Sequence, residues 1–595
     1  MSIKVKQKIK VRNKIVLILV FCFHTLVFAG HPISIDGLFD DWEQVPITYL
    51  DTEGDAVSAD YSTLKITYDS QFLFIYFDYF HGEFLMQDWN EFHLYIDADD
   101  NDATGHYVNG IGVELEWNFG ARSGFAYLNE QEIEIYQNDL SLRIAPTITS
   151  SQFEIAIALN SFPLTINGSQ IISNLRIIIS ELDLDGDFMP NEFGGVFFTI
   201  GDDVVPEAQP ISLERLNAND IRLVSYNTWN EGILDFDRQD QFKRILQAID
   251  PDIISLQEHG DWDQIDEIIQ SWFPNEEWHA SWTYGDLVVL SRFPIISDAY
   301  MGSGRTMVAL LDTDDELEEN LLIFNSHLSC CDNNEDRQQQ VDEFAGEWRD
   351  WRINGQGPFE IDHSIPFVHV GDFNFVGYRQ QVETIRIGDI EDEEQYGNDF
   401  FPDWDSTAII DLFSRHIGRR MGYTWRKDVS SFNPGKLDYI FYSDATIDTA
   451  NHYILNTLSM DDFTLGFYGL HWDDTQKASD HLPLVFDISN NDNLDIVEDQ
   501  IFPRKSLLDF SYPNPFNAEI QIKILLPNST VFKLSIIDLK GAKVTTLFSG
   551  KKSKGVHHLK WGGRDQRGYF VGSGVYFILI ETHKRNETQK IILLK

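Results

Sequence analysis

Apolar residues fall in short runs along most of this chain, and few of the runs have a helical period. Between residues 31 and 201 they alternate or cluster at Leu64–Tyr68, Phe72–Phe80, Phe92–Ile96, Ile111–Trp117, Phe153–Leu159, Leu175–Ile179 and Val196–Ile200, with turn-forming clusters between them. That spacing predicts an all-β sandwich. From residue 220 the runs end in, or carry, polar residues. Ile221–Asn227 closes on Asn227, Asp252–Glu258 on Glu258, and Leu321–Leu328 contains His327. Asp286–Pro294 opens on Asp286, Phe367–Val370 leads into Gly371-Asp372-Phe373-Asn374, and Lys436–Ser443 holds Asp438. Strands of this kind bring side chains from distant positions to one sheet edge. Beyond residue 510 come β-like runs at Ile520–Leu525 and Phe532–Ile537 with a glycine-rich turn region. Residues 202–219, with Pro206 and Pro210, and the polar stretch 490–509 read as linkers. At 595 residues the chain is too long for one core. The expected organisation is a β-sandwich over 31–201, a central domain over 220–489 and a small β-sandwich over 510–595.

The first residues add an export signal. Lys4, Lys6, Lys8, Lys10, Arg12 and Lys14 precede an apolar stretch from Ile15 to Phe28, and Val27-Phe28-Ala29 suits cleavage after Ala29. The stretch is short for a membrane span, so 1–29 reads as a signal peptide and the mature chain as lacking an integral span. Removing it leaves Cys330 and Cys331, adjacent residues that make no disulfide framework.

Charge is unevenly spread. The totals are 45 basic and 95 acidic residues. Residues 1–30 hold 6 basic and no acidic ones, and 511–595 hold 14 basic and 5 acidic. The body between them therefore carries −65, from 25 basic against 90 acidic residues. Such a body stays soluble and weighs against tight non-specific nucleic-acid binding. A local counter-signal is Arg415–Lys427, with Arg415, Arg419, Arg420, Arg426 and Lys427 interleaved with Tyr423 and Trp425. Two readings fit it: a grip on a nucleic-acid backbone, or cations compensating a helix C-terminus.

The polar strand ends carry the chemistry. Gly371-Asp372-Phe373-Asn374 puts a carboxylate and a carboxamide at one strand's end, and Ser479-Asp480-His481 adds a carboxylate beside an imidazole. Such a set can bind a divalent cation, orient a water and stabilise a charged phosphorus centre. Any one of these residues alone would be an ordinary loop or capping residue. Together and in this order they resemble the endonuclease/exonuclease/phosphatase superfamily, its deoxyribonuclease and exonuclease-III-like branch above all. The resemblance implies a four-layered α/β sandwich. It implies Glu258 as main metal ligand with Asn227 and Asp480 at the metal site, and Asp372 orienting or deprotonating the attacking water. It further implies Asn374 on phosphoryl oxygens, and His481, oriented by Asp438, stabilising the pentavalent centre or protonating the leaving oxygen. His327 corresponds to a second active-site histidine with Asp286 as partner, and Arg305 to a substrate-phosphate contact. Mg²⁺ or Mn²⁺ suits these oxygen ligands.

The flanks carry resemblances of their own. Ile35-Asp36-Gly37-Leu38-Phe39-Asp40-Asp41-Trp42 is similar to the start of family-9-type carbohydrate-binding modules, which implies a glycan or cell-surface ligand. Two acidic loops of this region read as calcium sites, one with Asp97, Asp99 and Asn101, the other with Asp183, Asp185 and Asp187. Tyr512-Pro513-Asn514-Pro515-Phe516-Asn517 and Ser573-Gly574-Val575-Tyr576-Phe577 resemble the C-terminal sorting domain of type IX secretion cargo. That implies passage through the periplasm and outer membrane to the cell surface or medium.

The expected function is a secreted metal-dependent phosphodiesterase acting on nucleic acid. Gly422-Tyr423-Thr424-Trp425 before Leu437-Asp438-Tyr439 looks like the nuclease branch, and the inositol-phosphatase signature is absent because Tyr439 follows Asp438. Two alternatives stay open. One is a sphingomyelinase-type phospholipase C, which would use Phe463–Trp472 as an aromatic hairpin. The other is a non-catalytic glycan-binding surface protein.

Overall fold

The computed structural model describes residues 30–489 and 508–594. Left out within that span are 89, 167–169, 172, 183–185, 202–204, 261, 282–284, 513–515, 518–519, 527–529, 539, 541–542, 553–554 and 583–585. The expected signal peptide, most of the 490–509 linker, Asp183 and Asp185 lie outside the described residues. The chain is multidomain and mostly β-sheet, with a few helices. No described helix is long and apolar enough to cross a membrane.

Strands buried along nearly their whole length build the first region. A five-stranded sheet includes Tyr61–Tyr68, Phe72–Tyr79 and Gln152–Ala158; a seven-stranded one includes Phe92–Asp97, Leu115–Asn118 and Asn174–Glu181. Leu64, Ile66, Leu73, Ile75, Phe77, Leu94, Trp117, Ile155 and Ile177 fill the core between them. The segment Ile33–Val45 straps the outer face of the five-stranded sheet. Trp42 is buried there, its Nε1 donating to Glu154 Oε2 at 2.8 Å, while Asp36 N and Gly37 N donate to Glu154 Oε1. The opening signature is thus a structural strap held on one buried carboxylate.

In the central domain two six-stranded sheets form. One runs His279–Ala280, Leu287–Ser291, Ile253–Gln257, Ile221–Asn227, Leu484–Ser489, Asp448–Ile454; the other runs Ile295–Met301, Thr306–Leu311, Leu321–His327, Phe367–Asp372, Asp438–Tyr442, Ile410–Asp411. Leu223, Leu287, Val289, Met307, Ile323, Val368, Ile440 and Phe486 share one core between the two. The other face of the first sheet packs on helices Gln239–Ile249 and Trp262–Trp272 through Phe242, Ile245, Ile249, Ile265 and Ile269. That of the second packs on Asn334–Asn354 and Arg379–Ile387 through Val341, Trp348 and Ile385. Each helix offers one apolar stripe to its sheet, as amphipathic periodicity requires.

Over 508–594 the described strands form a three-stranded and a four-stranded sheet, closed on Phe516, Ile522, Leu534, Trp561 and Ile580. Two readings of the sequence change here. Arg415–Lys427 contains no helix, so the helix-dipole explanation of its cations falls. Phe463–Trp472 is not a hairpin. It begins with the short helix Asp462–Tyr468, because the Asp461 carboxylate accepts from Phe463 N and Thr464 N and caps it.

The first region docks on the second. Ile35 forms a parallel bridge with Met421, with Ile35 N donating to Arg420 O at 3.0 Å and Gly422 N to Ile35 O at 2.8 Å. Thr149 N donates to Gly377 O, and Thr147 Oγ1 to Phe375 O. Residues after Val205 lie on the central domain too, with Ile211 N bonded to Ile417 O and Leu213 O accepting from Arg222 Nη1.

Candidate active site

Strand register assembles the site. Asn227 pairs with Gln257 across parallel strands, so Glu258, one residue on, stands beside it. His327 pairs with Asp372 in the other sheet, and Asp372 with Asp438. Four strand ends and one strand start therefore meet at one edge. Gly371 permits this: its φ is +142°, and a Cβ there would lie 2.0 Å from Ser326 O. Backbone in the left-handed region is concentrated nearby, at Trp229, Asn230, Glu231, Glu258 and Asn374. Such strain in non-glycine residues persists where surrounding structure over-determines it.

Asn227 Nδ2 donates to Asp372 Oδ2 at 2.9 Å and to Glu258 Oε1 at 3.1 Å, and Glu258 Oε2 accepts from Asn230 N at 2.8 Å. His481 Nδ1 lies 2.8 Å from Asp438 Oδ2, and its Nε2 lies 3.6 Å from Asp372 Oδ2. The other imidazole repeats the pattern. His327 Nδ1 is 2.6 Å from Asp286 Oδ2, with Nε2 3.8 Å from Asp372 Oδ2. Asp372 is flanked by two histidines, each oriented by its own carboxylate. Asn374 N donates to Asp372 Oδ1, and its Nδ2 to Leu328 O. Thr424 Oγ1 accepts from Leu437 N and Asp438 N, and Ser479 Oγ donates to Asn227 O. Arg305 lines the same cleft immediately before Thr306–Leu311. Lys427 Nζ is 3.4 Å from Asp480 Oδ2 and 4.6 Å from the Trp229 ring centre.

Electrostatics follow from burial. Asp372 is pushed up to about 6 by burial, with His481 opposing and Asp438 adding to the rise. Burial disfavours the charge on His481, yet Asp438 and Asp372 raise it to about 10, so it is an imidazolium at neutral pH. His327 shifts upward as well: its burial is outweighed by Asp286 and Asp372.

The ligating atoms of Glu258, His327 and Asp372 lie within 4.8 Å of one another, as do those of Asp372, Asp438 and His481. Asp438 Oδ1 is buried without a hydrogen-bond partner. In the first region Asp97 and Asp99 cluster with Glu114, whereas Asn101 contributes its backbone N to Asp97 Oδ1. Asp187 joins Asp55 and Asp60. Trp229, and Gln87 and Arg122 of the first region, line the cleft of Glu258 and Asp372 without belonging to the motifs that the sequence displays. A tryptophan two residues after a site asparagine was the available signal for the first.

Residues 224–481 match the Endonuclease/Exonuclease/phosphatase family, and residues 511–594 match the Secretion system C-terminal sorting domain. The central domain thus belongs to that family of nucleases and phosphatases, and the chain closes on a domain that directs export to the cell surface or beyond. Among solved structures the chain is similar to humanized D. rerio TDP2 (12% identity, 46% of this chain and 100% of that one, TM-score 0.31). Others are the human Nocturnin catalytic domain (18%, 46% and 96%, 0.30) and ANGEL2, a 2',3'-cyclic phosphatase (15%, 48% and 99%, 0.31). None of the curated proteins compared with the chain matches it.

Proposed function

We propose that residues 220–489 hydrolyse phosphodiester bonds of nucleic acid by an activated water, aided by Mg²⁺ or Mn²⁺, in a helix–sheet–sheet–helix domain. The observation that carries this reading is Asp372 held between Asn227, His327 and His481 at one sheet edge, with Glu258 beside it. Buried carboxylates with an unpartnered oxygen at Asp438 and an upward-shifted Asp372 suit a divalent cation. Glu258 would be its main ligand, with Asn227 and Asp480 at the same edge. A cation bound there would neutralise phosphoryl charge and make water more acidic. Asp372 orients the attacking water and takes its proton. His481, its Nδ1 proton held by Asp438, offers Nε2–H to the pentavalent centre or the leaving oxygen. His327 with Asp286 acts beside it, and Asn374 and Arg305 contact phosphate oxygens. Nucleic acid is favoured because Trp229 and Trp425 border the cleft, with Lys427 over the first ring, a surface on which a base can stack.

The proposal extends to a glycan or cell-surface ligand for residues 31–201, on the likeness of the opening segment, and to Ca²⁺ at Asp97 and Asp99. It also includes cleavage after Ala29, and passage by the type IX machinery through periplasm and outer membrane.

Hydrolysis of plasmid DNA and of sphingomyelin by the mature chain, with Mg²⁺ and with chelator, tests the reading. DNA cleavage abolished by chelator supports it, and by the double change Glu258→Ala and His481→Ala as well. Phosphocholine release with DNA untouched moves the function to lipid. Turnover is also expected to depend on pH. It should rise as Asp372 ionises near pH 6 and fall as His481 loses its proton near 10. Raising Mg²⁺ should move the acid limb downward, because a cation favours ionised Asp372. An acid limb indifferent to Mg²⁺ would remove Asp372 from the cation's surroundings.

A further inference from the structure

The cleft holding Glu258, Asp372 and His481 is a cavity of about 1330 Å³, and the first region forms part of its wall through Leu85, Gln87, Arg122 and Thr147. We infer that Arg122 is a specificity-determining residue of the central site, holding a second phosphate of the substrate adjacent to the one being cleaved. This rests on the phosphodiesterase reading above.

Charge is the first argument. Among the described residues lining the cavity, Arg122 and Arg305 are the only arginines or lysines, against several carboxylates that include Asp286, Asp372 and Asp480. An acidic cleft admits a polyanion only where its charges are met by cations. Arg305 and the two imidazoles stand around the scissile position. Arg122 comes from the turn after strand Leu115–Asn118, outside residues 224–481 altogether.

Its placement is the second. Arg122 sits in that turn at φ +55°, its N donating to Phe119 O. Its Nη1 donates to Gln87 O at 2.9 Å, and its guanidinium lies 4.0 Å over the Phe432 ring. Gln87 Oε1 in turn accepts from Asn433 N at 3.1 Å, in the loop that leads to Asp438. The cation is therefore pre-positioned across the seam, and its Nε is buried with no hydrogen-bond partner. A planar fork fixed on one arm and over a ring loses little entropy on meeting a phosphate.

The prediction separates substrates by phosphate number. With Mg²⁺ and the mature chain, Arg122→Ala should lower kcat/KM for a short oligonucleotide about tenfold, mainly through KM, as loss of one charge-assisted hydrogen bond does. The same variant should leave hydrolysis of a single-phosphate diester, bis(p-nitrophenyl) phosphate, unchanged. Arg122→Lys should recover part of the loss, and Arg122→Glu should deepen it. Equal loss on both substrates would reduce Arg122 to a structural support of the wall, and no loss on either would remove it from the substrate path; each overturns the inference. If the unaltered chain cleaves neither compound, the phosphodiesterase reading itself fails and the inference falls with it.

Discussion

Replacing Asp372 by Asn is expected to cut turnover by about a hundred- to ten-thousandfold, the range for losing a positioned general base. Asn is isosteric, but Asn227 Nδ2 and Asn374 N both donate to Asp372, so the amide oxygen keeps one of these bonds and the other is lost, a cost of about 1–3 kcal/mol that thermal unfolding should register. The charge it removes has a second effect. Asp372 is one of the groups that raise the His481 imidazolium. Without it the alkaline limb of the residual activity should move to lower pH. Asp438, 2.8 Å from Nδ1, remains to hold part of that shift. Residual rates measured from pH 5 to 10 check both statements. Activity within twofold of the parent would show that the water is activated elsewhere.

Arg222→Ala is expected to destabilise the central domain by about 3–5 kcal/mol, the usual cost of removing one partner of a buried ion pair. Arg222 Nε and Nη2 meet Asp487 Oδ1 and Oδ2 at 2.6 and 2.7 Å between adjacent central strands, and both side chains are almost wholly buried. Its Nη1 also closes the carbonyls of Leu213 and Ile249. Burial holds the Asp487 carboxyl upward even with the arginine in place. Alone, that carboxylate would be charged without compensation or forced to protonate. The joint change Arg222→Met with Asp487→Leu should recover much of the loss, because no stranded charge remains. Urea unfolding of the parent and the two variants measures it. Equal losses in the single and double variants would mean that the carbonyl contacts, not the ion pair, carry the stability.

The residues of the site could be read from the sequence because most of them flank an apolar run, at its end as Asn227, Glu258, His327 and Asp372 do, or at its start as Asp286 and Asp438 do. A buried strand announces itself by composition, and the polar residue that terminates it is conspicuous. What joins Asn227 to Asp372 is the packing of one sheet on the other, and what joins His481 to Asp438 is a loop bridged to Trp425; strand composition encodes neither, and the family resemblance supplied both. The fate of Arg415–Lys427 was less legible. Its charges could suit either a helix end or a substrate groove, and the irregular backbone follows from tertiary pairing, Met421 with Ile35 and Trp425 with Gly435. The helix at Asp462–Tyr468 was legible in principle, since Asp461 is a capping residue before an aromatic run. The docking seam was hidden for a different reason. Its bonds run largely from backbone groups of Ile35 and Thr149, which any side chain could carry.

That seam also bears on how such a gene can change. Linear order suggests interchangeable cassettes, each separable at a linker. Here a foreign domain spliced in place of residues 31–201 would leave the carbonyls of Arg420 and Gly377 facing solvent and open one side of the cleft. A change on either side of the seam therefore constrains the other, while residues 508–594 close on a core of their own.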